Sequence, residues 1–275
     1  MSGALQVGPL TLPWQLLVVF AAIATSTFVG KRLGRRAGID VDPPLFRMLV
    51  IAAVVARLAF VALFFDAYRA NPLGILDIRD GGWRPFAGLV AAWIYALWLG
   101  FRVRSSRVAL WAALGSATVV WALGTIVIAS MSPRDTPLPS VSLDTLDGRQ
   151  VSLKQFEGKP TVVNLWATWC PPCRREMPVL ARAQADHPDV NFVFLSQAET
   201  AQKVGSFLSA EKLNLQNVLL DAKGVASATF SQRALPTTLF FDARGRLVDS
   251  RIGELSAATL TERLRAIQPS SASDQ

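Results

Sequence analysis

Long uncharged runs dominate the first half of the chain, and short alternating segments dominate the second. Residues 10–29 carry no charge over a length of about 20 residues, roughly what a bilayer core requires. Residues 48–65 form a second run with Arg57 near its middle, residues 85–101 a third that ends at Arg102, and residues 108–131 a charge-free fourth. The pattern predicts a transmembrane region at 1–131 with four helices at about 10–29, 45–66, 85–101 and 108–131. No basic segment precedes the first run and no small-residue cleavage site follows it, so a retained helix is expected there rather than a signal peptide.

A short linker, SPRDTPLP at 132–139, separates this region from one of different period. Strands are expected at 141–143 and 150–153, flanking the turn signal Asp147-Gly148, and at 161–166, 190–195 and 217–220. Residues 238–242 and 247–252 read as a terminal hairpin around Arg244-Gly245. Helices are expected near 170–185, 201–211 and 256–267, the last capped by Ser256. Strands alternating with helices over 140–268 indicate one α/β domain, a central mixed sheet flanked by helices. Residues 269–275 are small and polar and read as a flexible tail, and the chain shows no internal repeat.

Composition narrows the class. Of 275 residues, 51% are hydrophobic and 17% charged, which excludes a disordered or fibrous chain and argues against an ordinary soluble enzyme. The net charge of +8 suggests nucleic acid until it is divided: residues 1–132 hold +7 and residues 133–275 only +1. No basic groove with interleaved aromatics is visible, and no nucleic-acid partner is expected. The excess marks membrane topology instead. Lys31, Arg32, Arg35 and Arg36 follow the first run, and Arg102, Arg104 and Arg107 lie between the third and fourth. Cytoplasmic loops retain Lys and Arg, so both should be cytoplasmic, leaving the mixed-charge loop at 67–84 and everything after Met131 outside.

Chemistry concentrates in one segment, Trp166-Ala167-Thr168-Trp169-Cys170-Pro171-Pro172-Cys173. A Cys-x-x-Cys after a strand and at the start of a helix fits dithiol redox chemistry. The helix N-terminus favours a thiolate on Cys170, which would attack a disulfide, while Cys173 would resolve the mixed disulfide. A structural disulfide, or half of a metal site, is the alternative. These are the chain's only cysteines and His187 its only histidine, so a metal would need an outside ligand; neither metal nor cofactor is expected. His187 reads as a solvated loop residue, and Trp166 and Trp169 as packing residues that frame the site.

With these residues quoted, the second half resembles the thioredoxin fold, in its TlpA/ResA-like branch of membrane-tethered thiol–disulfide oxidoreductases. The likeness runs from Leu146-Asp147-Gly148 through Gly158-Lys159-Pro160 and the stretch from Asn164 to Pro178 to Leu235-Pro236-Thr237-Thr238. It implies a cis proline at Pro236 beside the thiols, with Leu235 pairing backbone to backbone with bound substrate and Trp169 at the substrate face. It also implies a role for Glu176 in thiol proton handling, against which stands a purely structural acid near a helix start. Thioredoxin itself has a buried acid where this chain has Asn164, an Asn common in the branch, which leaves Glu176 the better candidate.

The first half has its own resemblance, to the N-terminal part of prolipoprotein diacylglyceryl transferase over about 8–100. It is carried by Gly8-Pro9-Leu10, the run from Ala56 to Phe60, Asn71-Pro72-Leu73 and Gly81-Gly82. That family continues with Ser-x-His-Gly-Gly, where this chain reads Trp83-Arg84-Pro85-Phe86, without the histidine; this degenerate match counts against acyl transfer. Arg57, a charge at mid-membrane, would bind a lipid phosphate or pair with a backbone carbonyl or Asp66.

Proline lacks an amide hydrogen, so Pro171 and Pro172 remove two donors to the Cys170 sulfur, and a moderately lowered Cys170 pKa favours a reductase. The expected protein is a multi-pass bacterial inner-membrane reductase with its thioredoxin-like domain in the periplasm. Its expected substrates are disulfides of exported proteins, apocytochrome c or a copper-site assembly protein among them. The membrane half has no cysteine, so the resemblance implies an outside electron donor, a DsbD/CcdA-type transmembrane carrier; membrane lipids are the further partner. The rivals are a tethered oxidase recharged through quinone, and a lipid- or partner-binding module whose Cys pair transfers copper.

Overall fold

The computed structural model describes residues 4–7, 10–69, 72–131, 137–232 and 234–268, which form two compact units. The first unit opens with strands β1 (Ala4–Val7) and β2 (Leu10–Pro13), paired antiparallel. Helices α1 (Trp14–Arg36), α2 (Asp42–Leu63), the short α3 (Phe65–Arg69), α4 (Pro85–Arg102) and α5 (Arg107–Met131) follow. Four of these helices, α1, α2, α4 and α5, are long and apolar enough to cross a membrane. Two details differ from the sequence reading. Residues 10–13 are strand, because Pro13 pushes the residue before it away from helical angles, so α1 starts at Trp14. It then runs on through Lys31–Arg36, whose basic residues belong to its last turns, where the helix dipole favours cations.

Small residues let these helices approach closely. A side chain on Gly88 of α4 would meet the Ala52 carbonyl of α2 at 2.5 Å, and one on Gly124 of α5 would meet Val18 of α1 at 2.6 Å. Trp111 Nε1 donates to the Ala96 carbonyl at 3.1 Å and Trp93 Nε1 to Thr118 Oγ1 at 3.2 Å, both between α4 and α5. Phe20, Phe28, Ile94 and Ile126 point outward, as lipid-facing residues do. Buried Arg57 donates from Nη1 to the Gly82 carbonyl at 2.7 Å and lies over the Tyr68 ring, which is the backbone-carbonyl alternative of the sequence reading.

The second unit is an α/β domain of the thioredoxin type. In chain order its elements are β3 (Ser142–Thr145), β4 (Gln150–Ser152), β5 (Thr161–Trp166), α6 (Pro171–Asp186), β6 (Asn191–Gln197), α7 (Ala201–Ala210), β7 (Val218–Asp221), α8 (Val225–Thr229), β8 (Thr237–Phe241), β9 (Leu247–Ile252) and α9 (Ala257–Ile267). The sheet order is β4-β3-β7-β6-β5-β8-β9, with β5, β6 and β7 parallel and the rest antiparallel. All six residues of β5 are buried, as a central strand covered on both faces requires. Alternation divides the core: Val162, Trp166, Phe192, Phe194 and Phe240 face α6 and α9, while Val163, Leu165, Val193, Leu195 and Phe241 face Leu153, Phe156 and Phe230.

This unit also takes in residues 72–81, which the sequence reading leaves in a loop of the helical region. They form two 3-10 turns, Pro72–Leu76 and Ile78–Asp80. Of the linker, residues 132–136 lie outside the described residues, as does the tail at 269–275. Residues 137–139 are not a free linker: Leu138 is buried and its N–H donates to the Gly245 carbonyl at 2.8 Å.

Candidate functional site

Cys170 sits at the junction of β5 and α6, where it is the residue that caps the helix. Its Sγ accepts the Cys173 N–H at 3.3 Å, one of the helix-start donors that lacks a carbonyl partner within the helix. Pro171 and Pro172 occupy the first turn, where a missing N–H is tolerated. Cys170 and Cys173 are joined in a disulfide with an S–S distance of 2.11 Å, and 4% of Cys170 but none of Cys173 is exposed. Cys170 is thus the cysteine nearer solvent. Trp169, expected to pack, is instead 62% exposed beside it, whereas Trp166 is wholly buried with its ring against Phe207.

The turn leading to Cys170 is held by a carboxylate absent from the sequence reading. Buried Glu199 accepts the Thr168 N–H at 2.8 Å and its hydroxyl at 2.5 Å, accepts the Ser196 hydroxyl at 3.0 Å, and pairs with Lys203 Nζ at 2.8 Å. Burial raises its pKa, but the bonds from Lys203, Thr168 and Ser196 outweigh this and hold it below the ordinary carboxyl range. Glu199 follows the end of β6, the parallel neighbour of β5, so sheet pairing delivers it to Thr168.

Glu176 lies one turn after Cys173 and is fully buried. Its Oε1 accepts from Asn164 Nδ2 at 2.8 Å, and its Oε2 from the Leu255 N–H at 3.0 Å. Asn164 Nδ2 also reaches Thr238 Oγ1 at 3.0 Å, so this amide ties α6 to β5 and β8. Burial pushes the Glu176 pKa up to about 8, against the opposing pull of those two hydrogen bonds. Near neutrality the group is therefore mostly a carboxylic acid, which can give a proton, with a minority of carboxylate that can take one.

The Leu235–Pro236 peptide bond is cis. Pro236 is buried immediately before β8, and Thr237 pairs with Leu165 near the end of β5, which brings this corner to the sheet edge where the Cys segment begins. Leu235 packs against the cluster that contains both cysteines. His187 lies apart, half-buried as the C-cap of α6. Among the described residues no group of three or more His, Cys, Asp and Glu side chains converges as metal ligands would. Sequence reasoning missed Glu199, Thr168 and Leu255, since their partners come from strands and turns distant in the chain.

Comparison with known proteins covers each half separately. Residues 133–264 match the family described as Redoxin, and residues 2–129 match Prolipoprotein diacylglyceryl transferase. The thioredoxin-like protein YneN of Bacillus subtilis is 33% identical over 130 residues, 46% of this chain and 75% of that protein. The thiol-disulfide oxidoreductase ResA of Bacillus thuringiensis is 31% identical over 133 residues, 48% of this chain and 76% of that protein. Among solved structures, dsbF of MTB is 32% identical with a TM-score of 0.45, covering 47% of this chain and 96% of its own. StoA from Bacillus subtilis is 27% identical with a TM-score of 0.41, covering 46% and 99%.

Proposed function

The chain belongs to the ResA-like thiol–disulfide oxidoreductases of the thioredoxin fold, and from that premise we propose that it is a membrane-anchored reductase of disulfides in exported proteins. The observation that carries the reading is the Cys170–Cys173 pair at the start of α6, its more exposed sulfur held by a single backbone N–H from Cys173. Pro171 and Pro172 supply no further donor, so the Cys170 thiolate lacks the stabilisation that makes a strongly oxidising dithiol.

In the reduced enzyme the Cys170 thiolate attacks one sulfur of a substrate disulfide. A mixed disulfide forms and the other substrate sulfur leaves as a thiolate that takes up a proton. Cys173 then loses its proton to Glu176 in its carboxylate form and attacks Cys170 Sγ, closing the intramolecular bond and releasing the second substrate thiolate. The substrate gains two electrons from the dithiol; the Cys173 proton ends on Glu176, and the two substrate thiolates take their protons from solvent. When a dithiol donor reopens the bond, neutral Glu176 returns its proton to the departing Cys173 thiolate. Leu235 and exposed Trp169 contact the substrate, Leu235 through its backbone. The chain itself places no dithiol in the helical half, so the donor is a separate carrier of the DsbD/CcdA type. The reading puts the protein in a bacterial inner membrane with its redox domain in the periplasm.

The test is the redox state of the two cysteines in intact cells, trapped by acid quenching and a bulky thiol alkylator. These are the only thiols, so each molecule reports one state. Mostly reduced protein is expected for a reductase kept charged by a donor; mostly oxidised protein in donor-competent cells would transfer the assignment to an oxidase. Replacing Cys170 with Ser should abolish reduction of a model disulfide, which a copper-carrier or lipid-binding role does not require.

A further inference from the structure

The segment between α2 and α4 has a feature that neither family match explains. Within the second unit, buried Asp80 accepts the Ser256 hydroxyl at 3.0 Å through Oδ2, and the Arg79 carbonyl accepts Arg251 Nη2 at 3.0 Å. Asp77 shapes the turn by accepting the Arg79 N–H and pairing with its guanidinium at 2.8 Å. Gly81 has a φ of +73°, and a side chain there would lie 2.4 Å from the Arg251 guanidinium. Only glycine permits both the backbone angle and the approach.

The two residues so held bracket the turn that binds the acid. Arg251 lies on β9 before it and Ser256 caps α9 after it, and between them Leu255 donates its N–H to Glu176. We propose that Arg79–Gly81 is a positioning element of the redox site, fixing Arg251 and Ser256 so that the Leu255 N–H and the Arg251 charge stay in place beside Glu176. The inference rests on the reading of Glu176 as the group that handles the Cys173 proton.

The electrostatics give it a sign. Arg251 favours the Glu176 carboxylate, while Glu254 disfavours it and is itself paired with Arg175 at 2.6 Å. Arg251 in turn feels Asp80, Asp249 and Arg263. Removing the Asp80 charge leaves Arg251 less compensated, which favours Glu176 ionisation. Removing Arg251 acts the opposite way.

The experiment is a pH titration of the protonated-carboxyl infrared band in the full chain in lipid nanodiscs, the Glu176 band being the one that Glu176→Gln removes. Asp80→Asn keeps an oxygen for Ser256 and, by leaving the Arg251 charge less compensated, should lower the midpoint by about half a pH unit or more. Gly81→Ala, whose side chain would collide with the Arg251 guanidinium and displace it, should instead raise the midpoint, as should Arg251→Met. In the Arg251→Met background both shifts should fall to less than half. A midpoint unmoved or lowered in Gly81→Ala, or shifts of equal size with and without Arg251, overturns the proposal. If Gly81→Ala fails to fold, an unmoved midpoint in Asp80→Asn overturns it. The band reports the Glu176 proton whether or not disulfide exchange uses it. Unchanged exchange kinetics in Glu176→Gln would therefore defeat the catalytic reading of Glu176 separately from the positioning one.

Discussion

At the scale of the residue, Glu176 carries the most consequence, because the same burial that suits it to hold a proton near neutrality also makes its ionisation costly. Its folded pKa of about 8 lies above the ordinary 4.5. Stability from the neutral form is therefore complete below about pH 4.5 and is lost as the pH rises through about 8. Urea denaturation of the full chain in detergent at pH 5 and pH 8.5 should show wild type losing stability relative to Glu176→Gln over that interval. Equal pH dependence in the two proteins would mean that Glu176 is ionised in the fold at neutrality. Glu176 was a candidate through the resemblance to the TlpA/ResA-like branch, whose motif spans it from Asn164 to Pro178. Its burial was not legible, because Asn164 lies 12 residues earlier and Leu255 lies 79 residues later.

At the scale of the element, the turn from β5 to α6 is stiffened from outside by Glu199. Glu199→Ala would strip a buried N–H and a buried hydroxyl of Thr168 of their acceptor, which costs about 2–3 kcal/mol. Chemical denaturation should show a loss of that order, with a smaller loss in Glu199→Gln, which keeps one acceptor oxygen. A loss below about 0.5 kcal/mol would mean that water replaces the carboxylate, a surface-like cost. Element boundaries followed local signals closely where those were chemical. Ser256 caps α9 with Thr259 in a reciprocal box, and Asp147-Gly148 turns β3 into β4 with Gly148 at a φ of +83°. The helix α8 and the 3-10 turns at 72–80 were missed, since three to five residues carry too little periodicity to distinguish them from loop.

At the scale of the whole molecule, charge and hydrophobicity divide the chain into two parts with separate relatives, and the positive charge accompanies the apolar helices. The charge pattern predicts that protease added to spheroplasts will degrade the second unit and that inverted vesicles will protect it. The reverse pattern would place the cysteines on the cytoplasmic side and contradict a role with exported substrates.

The sequence by itself determined the division into four apolar helices and an α/β domain, because each rests on periodicity within a contiguous stretch. It also determined the dithiol, whose chemistry needs only two cysteines a helical turn apart at a helix start. Tertiary structure alone decided which carboxyl groups serve the site and how. Parallel pairing of β5 with β6 brings Glu199 to Thr168, and the turn after β9 closes over Glu176. Asp80 meets Ser256 across 176 residues of chain. Such partners are set by sheet order and packing, which no local pattern encodes, and desolvation at the resulting positions then sets the proton affinities on which the chemistry depends.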